Sequence, residues 1–187
     1  MGKTYFRNQY RTASIRAEWW DYRNSAIYFI TVCTKDKEIF FGKISESTII
    51  LSEIGKIVNN CWLSIPEHYR FVQLDEFIVM PNHLHGIIII NADKLYPIES
   101  RSSCDDYHQK VSSNILMSDL SPKVGSLSYV VRTFKAAVTK QATCHCDYFR
   151  WQPRFYERII RDAKELERVR IYIRNNPRNW KEDKMFK

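Results

Sequence analysis

The spacing of apolar residues along the chain predicts four strands. Residues 26–34, 70–80 and 83–91 are rich in β-branched and aromatic side chains, a composition typical of strands. Residues 87–90 are all isoleucine, so that strand is apolar on both faces and we expect it in the centre of a sheet. A shorter strand is predicted over 154–161.

Two predicted helices lie between these strands. Ser52 is suited to cap the first helix, because its hydroxyl can accept a hydrogen bond from an unpaired backbone N–H of the first turn. Apolar residues then recur in steps of three and four over 54–65, which is the stripe of a helix with one buried face. We expect Pro66 to end this helix. A similar stripe predicts the second helix over about 126–141.

A third helix is predicted near the end of the chain. Asp162 and Glu165 have the spacing of a capping box, and Pro177 disfavours helical geometry at the residue before it. The order of elements is therefore strand, helix, strand, strand, helix, strand, helix. This order predicts an α+β fold, a ferredoxin-like antiparallel sheet with helices packed on it.

Composition and charge narrow the class of protein. Hydrophobic residues make up 44% of the chain, enough to form a core, and the net charge of +8 favours a polyanionic partner such as nucleic acid. The five cysteines form no CxxC pair, and we predict a reducing, cytoplasmic setting without a membrane segment. We predict one domain over 1–187, with a basic N-terminal arm at 1–24 and an inserted polar loop at 92–121.

The pair His83 and His85 is the first candidate for chemistry. Alternate residues of a strand point to the same face, so the two imidazoles start about 6.5–7 Å apart on one side of the sheet. Two imidazoles at this spacing can bind one metal ion. The pair follows the turn at Pro81 and Asn82, which puts it at the rim of a rigid sheet. Two ordinary histidines near a turn are the alternative.

Tyr172 and Asn176 are the second candidate pair. They are four residues apart on the terminal helix and therefore share a face. The helical angle puts Tyr172 on the flank of the buried stripe, where a phenol can reach a cleft. The amide oxygen of Asn176 suits a hard cation. The alternative is a packing tyrosine and an asparagine that ends the helix.

Several segments together resemble a known family. Residues 77–86 (FIVMPNHLHG) resemble the HUH segment of single-tyrosine transposases, especially the REP-associated tyrosine transposases. Residues 151–161 (WQPRFYERIIR), 172–177 (YIRNNP) and 132–140 (RTFKAAVTK) resemble other segments of the same family. The resemblance covers most of residues 11–180, apart from the insertion at 92–121.

The resemblance implies an HUH nuclease fold with specific roles for four residues. His83, His85 and Asn176 are implied as ligands of a divalent metal, Mg²⁺ or Mn²⁺, and Tyr172 as the nucleophile. The implied activity is cleavage and transfer of single-stranded DNA through a 5′-phosphotyrosine intermediate. The implied partner is single-stranded or hairpin DNA, and members of the family act as monomers or as homodimers.

Two departures from the family pattern stand out. Arg158 occupies a position where many relatives have histidine, so a role for that histidine does not carry over. Residues 178–181 replace the usual run after Asn-Pro, and we expect this change to alter DNA specificity.

Other basic residues are candidates for phosphate contacts, although a solvated charged face or a packed arm is the common alternative. They are Arg11, Arg16, Arg132, Lys135 and Lys140. Two other functions stay open from the sequence. One is a hairpin-DNA-binding protein of the same fold without turnover, and the other is a metal-dependent hydrolase that uses an activated water.

Overall fold

The computed structural model describes residues 20–94 and 122–182, together with the backbone of two short strands near the N-terminus. These strands, β1 (Tyr5–Phe6) and β2 (Tyr10–Arg11), pair antiparallel. The rest of the predicted arm up to residue 19, and residues 95–121 of the predicted loop, lie outside the described residues. The predicted domain boundaries therefore stay predictions.

A four-stranded sheet is the centre of the fold. The strands after β2 are β3 (Ala26–Cys33), β4 (Gly42–Ser45), β5 (Thr48–Leu51), β6 (Val72–Met80), β7 (His83–Ile90) and β8 (Tyr156–Ile160). The sheet has the order β6-β7-β3-β8, and every neighbouring pair is antiparallel. The predicted α+β class is confirmed, and β7 is an interior strand because its side chains are apolar on both faces.

The helices are α1 (Glu53–Leu63), α2 (Ile65–His68), α3 (Leu127–Ala142) and α4 (Ala163–Asn175). The predicted cap of α1 forms, with the Ser52 hydroxyl accepting a hydrogen bond from the Gly55 N–H at 3.0 Å. The prediction that Pro66 ends α1 is wrong. The helix ends at Leu63, and Pro66 lies in the first turn of α2, where proline needs no N–H partner.

Helices α1 and α3 cover one face of the sheet and enclose the main core. Trp62 of α1 is fully buried there, with its ring centroid 5.9 Å from that of Phe77 and 5.4 Å from that of Phe134. The indole lies directly over Gly86, where an added Cβ would be only 2.4 Å from Trp62 Cζ2. Glycine at this position allows the helix to approach the strand that carries the two histidines.

Helix α4 packs on the opposite face over a much smaller apolar cluster. The buried members of this cluster are Phe29, Ile87, Ile160 and Ile173. This apolar cluster does not extend to the start of β7, where the side chains on the same face of the sheet are those of His83 and His85. None of the helices in the described residues is long and apolar enough to span a membrane.

The β4–β5 hairpin was not predicted from the sequence. Its turn residues Glu46 and Ser47 have left-handed φ angles of 50° and 62°, as in a type I′ turn. Such turns usually contain Asn-Gly or Asp-Gly, so the Glu-Ser pair carries no hairpin signal. The four-residue strands are also too short to have a clear period.

Candidate active site

The two histidines of β7 lie side by side beneath α4. His83 pairs with Cys33 and His85 with Thr31 in the register with β3, and the strand alternation turns both imidazoles to the same face. Their Nε2 atoms are 3.0 Å apart. His83 is fully buried and His85 is 3% exposed, so this is an interior pair rather than a surface one.

The opposite nitrogen of each imidazole is held by an oxygen atom. His83 Nδ1 is 2.8 Å from Asn82 Oδ1, and His85 Nδ1 is 2.8 Å from Thr31 Oγ1. The Asn82 amide donates from Nδ2 to the Lys37 carbonyl, which leaves its oxygen to accept from His83. These contacts orient both rings with Nε2 toward the shared space, as partners of metal-bound histidines commonly do.

Burial keeps His83 neutral. Burial, together with the nearby positive charge of Lys37, lowers the pKa of His83 to about 3. With Nδ1 carrying the proton that is donated to Asn82, the lone pair of His83 Nε2 faces His85 Nε2. Two such nitrogens 3.0 Å apart need either a proton or a cation between them. If a cation lies there, the proton of His85 is on Nδ1, which can donate it to the Thr31 hydroxyl.

The donor set fits a divalent cation. The Nε2 atoms of His83 and His85, 3.0 Å apart and on one face of the sheet, are close enough for both to bind the same divalent ion. The described residues contain no cluster of three His, Cys, Asp or Glu side chains that could hold a metal ion. Within the described residues, a third protein ligand would therefore be of another type, such as an asparagine amide.

Tyr172 meets the histidine pair from α4. Its hydroxyl oxygen is 3.2 Å from His85 Nε2, and its ring centroid is 5.2 Å from that of His85. The ring also packs edge-on against Phe29 at 6.0 Å, while 45% of the residue is exposed. This is the flanking position that the helical angle predicted, with the ring supported on one side and open on the other.

Asn176 lies one turn after Tyr172 and is 2% exposed. It is the C-cap residue of α4, and its backbone N–H donates to the Ile173 carbonyl at 3.2 Å. Trp180 follows one further turn along, with its ring centroid 5.8 Å from that of His83. In the chain, Asn176 therefore lies between Tyr172, which contacts His85, and Trp180, which contacts His83.

Ion pairs hold α4 against the edge strand β6. Arg170 Nε donates to Asp75 Oδ1 at 2.9 Å, and its second nitrogen donates to the other carboxylate oxygen. Hydrogen bonding to Arg170 keeps the pKa of Asp75 below its usual value. Arg174 donates from Nε and from one terminal nitrogen to a single carboxylate oxygen, Oε1 of Glu76, at 2.9 and 2.7 Å. Because α4 packs on few buried apolar residues, these ion pairs help to fix the position of the helix and therefore of Tyr172.

Arg158, at the position where the family pattern has histidine, also supports α4. It lies on β8 opposite Phe29 of β3, and its guanidinium pairs with the Glu165 carboxylate at 2.5 Å. Glu165 accepts a hydrogen bond from the Arg161 N–H and, through its own N–H, donates to Asp162. Arg158 therefore helps to fix the start of the helix that carries the tyrosine.

The predicted DNA-contacting residues do not gather at the histidines. Arg132 and Lys140 are exposed on α3, on the other face of the sheet. The Lys135 ammonium donates to the carbonyls of Gln152 and Arg154 at 2.7 and 3.1 Å. Phosphate contact by Lys135 stays a prediction, and a phosphate would have to compete with these two carbonyls for the ammonium. The side chain of Arg11 and the whole of Arg16 lie outside the described residues.

Sequence reasoning missed several residues that build the site. Thr31, Phe29 and Trp180 contact the histidines or the tyrosine from other elements. Strand alternation puts Phe29 and Thr31 on one face of β3, but only the register with β7 reveals which residues they meet. Asn82 was assigned to a turn, and its amide contact to the next residue has no sequence signature.

Comparison with known proteins gives a relative and a fold. No protein-family model matches the chain. A protein of Haemophilus influenzae (strain ATCC 51907 / DSM 11121 / KW20 / Rd), described as uncharacterized, is 39% identical over 175 residues, which are 92% of each chain. The solved structure of a REP-associated tyrosine transposase bound to a REP hairpin matches 89% of this chain and 74% of its own, with a TM-score of 0.54 and 17% identity. The chain therefore belongs to the family of the Haemophilus influenzae protein and has the fold of a REP-associated tyrosine transposase.

Proposed function

We propose that this protein cleaves and transfers single-stranded DNA, with Tyr172 as the nucleophile and a divalent metal ion as cofactor. The observation that carries the proposal is the contact between the Tyr172 hydroxyl and His85 Nε2 at 3.2 Å. The same His85 nitrogen lies 3.0 Å from His83 Nε2. A half-exposed phenol next to two buried imidazoles is an unusual arrangement for packing alone. It is suited to attack on a phosphodiester.

The metal would be held by His83, His85 and Asn176, with Mg²⁺ or Mn²⁺ as the ion. When bound, it supplies positive charge that polarises the scissile phosphodiester and stabilises the charge that develops during attack. The chain itself orients the ligands, since Asn82 and Thr31 fix the two rings from behind. Burial keeps His83 neutral at physiological pH, so its lone pair is available without loss of a proton.

Tyr172 forms one bond while the DNA loses another. The phenolic oxygen bonds to phosphorus, the bond from phosphorus to the 3′ oxygen breaks, and the proton lost by the phenol is balanced by the one gained by the 3′ oxygen. The products are a 5′-phosphotyrosine and a free 3′-OH. Because the covalent bond keeps the phosphodiester energy, the 3′-OH of a second strand can reverse the step and join to the DNA.

Charge and fold support DNA as the partner. The net charge of +8 attracts a polyanion, and much of it comes from the C-terminal third of the chain, around α4. The solved structure of the same fold is bound to a REP hairpin, which motivates single-stranded or hairpin DNA as the substrate proposed here. His83, His85, Tyr172 and Trp180 contact one another within the chain, an arrangement that either a monomer or a homodimer can use.

A covalent-adduct assay tests this proposal. The purified protein is incubated with a pool of labelled single-stranded and hairpin DNAs and Mn²⁺ or Mg²⁺, then separated on a denaturing gel. We expect a metal-dependent protein–DNA band that disappears in Tyr172→Phe and in His83→Ala. The matched control is Tyr156→Phe, which removes the hydroxyl of another exposed tyrosine whose ring packs on the same Phe29. The band should persist in this control.

The same assay separates the two competing functions. Metal-dependent cleavage that survives Tyr172→Phe without any covalent band would mean that an activated water is the nucleophile. Tight hairpin binding with neither a band nor cleavage, across the whole pool, would mean a DNA-binding protein without turnover. Either result would replace the tyrosine-nuclease proposal.

A further inference from the structure

A cleft of about 660 Å³ lies between the β4–β5 hairpin and the residues that follow α4. Three exposed cations line it, Lys43 on the hairpin and Arg178 and Lys181 after the helix. None of the three has an ion-pair partner within residues 20–94 and 122–182. Glu46 is the carboxylate of the lining, so the cleft carries an excess of positive charge.

The cleft also offers apolar surface. Ile39, at its rim, is 58% exposed, and Ile44 and Pro177 extend the apolar lining. Apolar side chains beside cations suit a nucleotide, whose sugar and base pack on the former while its phosphate pairs with the latter. A Cβ added at Gly42, whose φ is 143°, would lie 2.1 Å from the Ile50 carbonyl oxygen, so no side chain can enter the cleft from this position.

The cleft adjoins the histidine pair on the side away from the tyrosine. Pro81 lines the cleft two residues before His83, and Trp180 both lines the cleft and packs against the His83 ring at 5.8 Å. The ring contacts run in one order, from Tyr172 to His85 at 5.2 Å, to His83 at 4.4 Å and on to Trp180. A strand crossing the histidines from Tyr172 therefore leads into this cleft.

We infer that the cleft binds the single-stranded DNA on the 5′ side of the cleaved bond, the strand that ends in a 3′-OH after cleavage. The inference rests on the proposed function. In an in-line displacement the leaving oxygen lies opposite the nucleophile. Since Tyr172 is on one side of the histidine pair, the 3′ oxygen leaves toward the other side, where Trp180 and the cleft begin.

Binding there has a consequence for strand transfer. The free 3′-OH stays beside the phosphotyrosine when its own nucleotides are held by Lys43, Arg178 and Lys181. The cleft would thus set how long the cleaved strand remains in place before a second strand replaces it. It would also contribute to the choice of sequence on that side of the cut.

Photo-crosslinking locates the strand without needing cleavage. The probe is a pool of random-sequence single-stranded DNAs of about 12 nucleotides with a 3′-OH. One version has 5-iododeoxyuridine as its 3′-terminal nucleotide, and the other has it at the 5′ terminus. After irradiation of the full-length protein, we expect the 3′-terminal label on peptides containing residues 39–47 or 177–182, and the 5′-terminal label elsewhere. The same peptide pattern for both labels would overturn the inference.

Binding of the same pool by charge-matched variants gives a second readout. Arg178→Ala with Lys181→Ala removes two cations of the cleft, whereas Arg70→Ala with Lys94→Ala removes two exposed cations at the far end of the β6–β7 pair. We expect the cleft variant to bind about tenfold more weakly than the control variant, and its logarithmic salt dependence to fall by about 1.4. Equal affinity and equal salt dependence in the two variants would overturn the inference.

The adduct assay separates failure of this inference from failure of the proposed function. If the wild-type protein forms the tyrosyl adduct while the cleft variant binds and crosslinks as the control does, the nuclease stands and the cleft assignment is wrong. If the 3′-terminal label crosslinks in the cleft but no adduct forms on any DNA, the cleft is a single-strand site. The nuclease, and with it the assignment to a cleaved bond, is then wrong.

Discussion

Adding a single methyl group at Gly86 tests whether the packing of α1 sets the position of the histidine strand. Gly86 follows His85 directly, and its φ lies outside the left-handed region, so alanine is compatible with the backbone there. The obstacle is purely steric. An alanine Cβ would lie 2.4 Å from Trp62 Cζ2 and 2.8 Å from Cη2, whereas carbon atoms in contact are normally about 3.5–4.0 Å apart.

The indole has little room to retreat. It is fully buried, with Phe77 and Phe134 against it at centroid distances of 5.9 and 5.4 Å. Overpacking of this kind costs about 1–3 kcal/mol, while replacing glycine by alanine recovers about 0.4–1 kcal/mol by restricting the unfolded chain. We therefore expect Gly86→Ala to lower the free energy of unfolding by about 1–2 kcal/mol.

Urea denaturation of four proteins measures this effect and its cause. They are the wild type, Gly86→Ala, Trp62→Phe and the double variant. Phenylalanine lacks the two indole atoms that meet the new Cβ, so Trp62→Phe alone leaves a cavity that the methyl group can partly fill. The double variant should be more stable than the sum of the single effects predicts, with a coupling energy of at least about 1 kcal/mol.

Two results would refute the packing argument. One is a Gly86→Ala variant as stable as the wild type, and the other is additive behaviour in the double-variant cycle. A third measurement connects packing to the site. Because the strand must shift next to His85, we expect Mn²⁺ to bind Gly86→Ala more weakly than the wild type, and Trp62→Phe to restore part of that affinity.

Three further predictions concern the groups around the site. Thr31→Val should weaken Mn²⁺ binding about 10–100-fold in a calorimetric titration while Thr31→Ser keeps it, because the hydroxyl orients His85. With a chelator present, the free energy of unfolding should fall by about 1.6 kcal/mol more in the wild type than in His83→Gln between pH 6.5 and 5. The reason is that His83 of the unfolded chain takes up a proton around its ordinary pKa of 6.5, whereas burial lowers the pKa of the folded residue to about 3. Parallel pH profiles of the two proteins would contradict this. Asp75→Asn should lower the urea midpoint at pH 7, because the ionised Asp75 carboxylate stabilises the fold at pH values above its usual pKa of 3.8. The difference in midpoint from the wild type should vanish as the pH falls through the lowered pKa of the folded protein. A difference that stays constant with pH would argue against the Arg170 pair.

Most of the elements followed from local sequence because local physics decides them. The stripe of α1 and its Ser52 cap, and the Asp162 cap of α4, depend only on residues within a few positions of each other. The interior place of β7 followed from a run of isoleucines that needs apolar contacts on both faces. The β4–β5 hairpin escaped prediction because its left-handed turn residues are held by pairing and packing rather than by their own preferences.

The candidate site was predictable as a set of residue types and faces. The alternation of β7 puts His83 and His85 on one side, and the helical angle of α4 puts Tyr172 on the flank of its buried stripe; both follow from backbone geometry alone. The resemblance to a family connected these residues before any distance was known. None of this indicated what lies behind or beside them.

Only the tertiary structure decided the chemical state and surroundings of those residues. His83, which burial keeps neutral, packs against Trp180, a residue that lies 97 positions later in the chain. The Thr31 contact depends on the register between β3 and β7, and the cleft on how the β4–β5 hairpin meets the residues after α4. A pattern specifies which way a side chain faces, whereas its pKa, its partners and its access to DNA are set by atoms that folding brings from elsewhere.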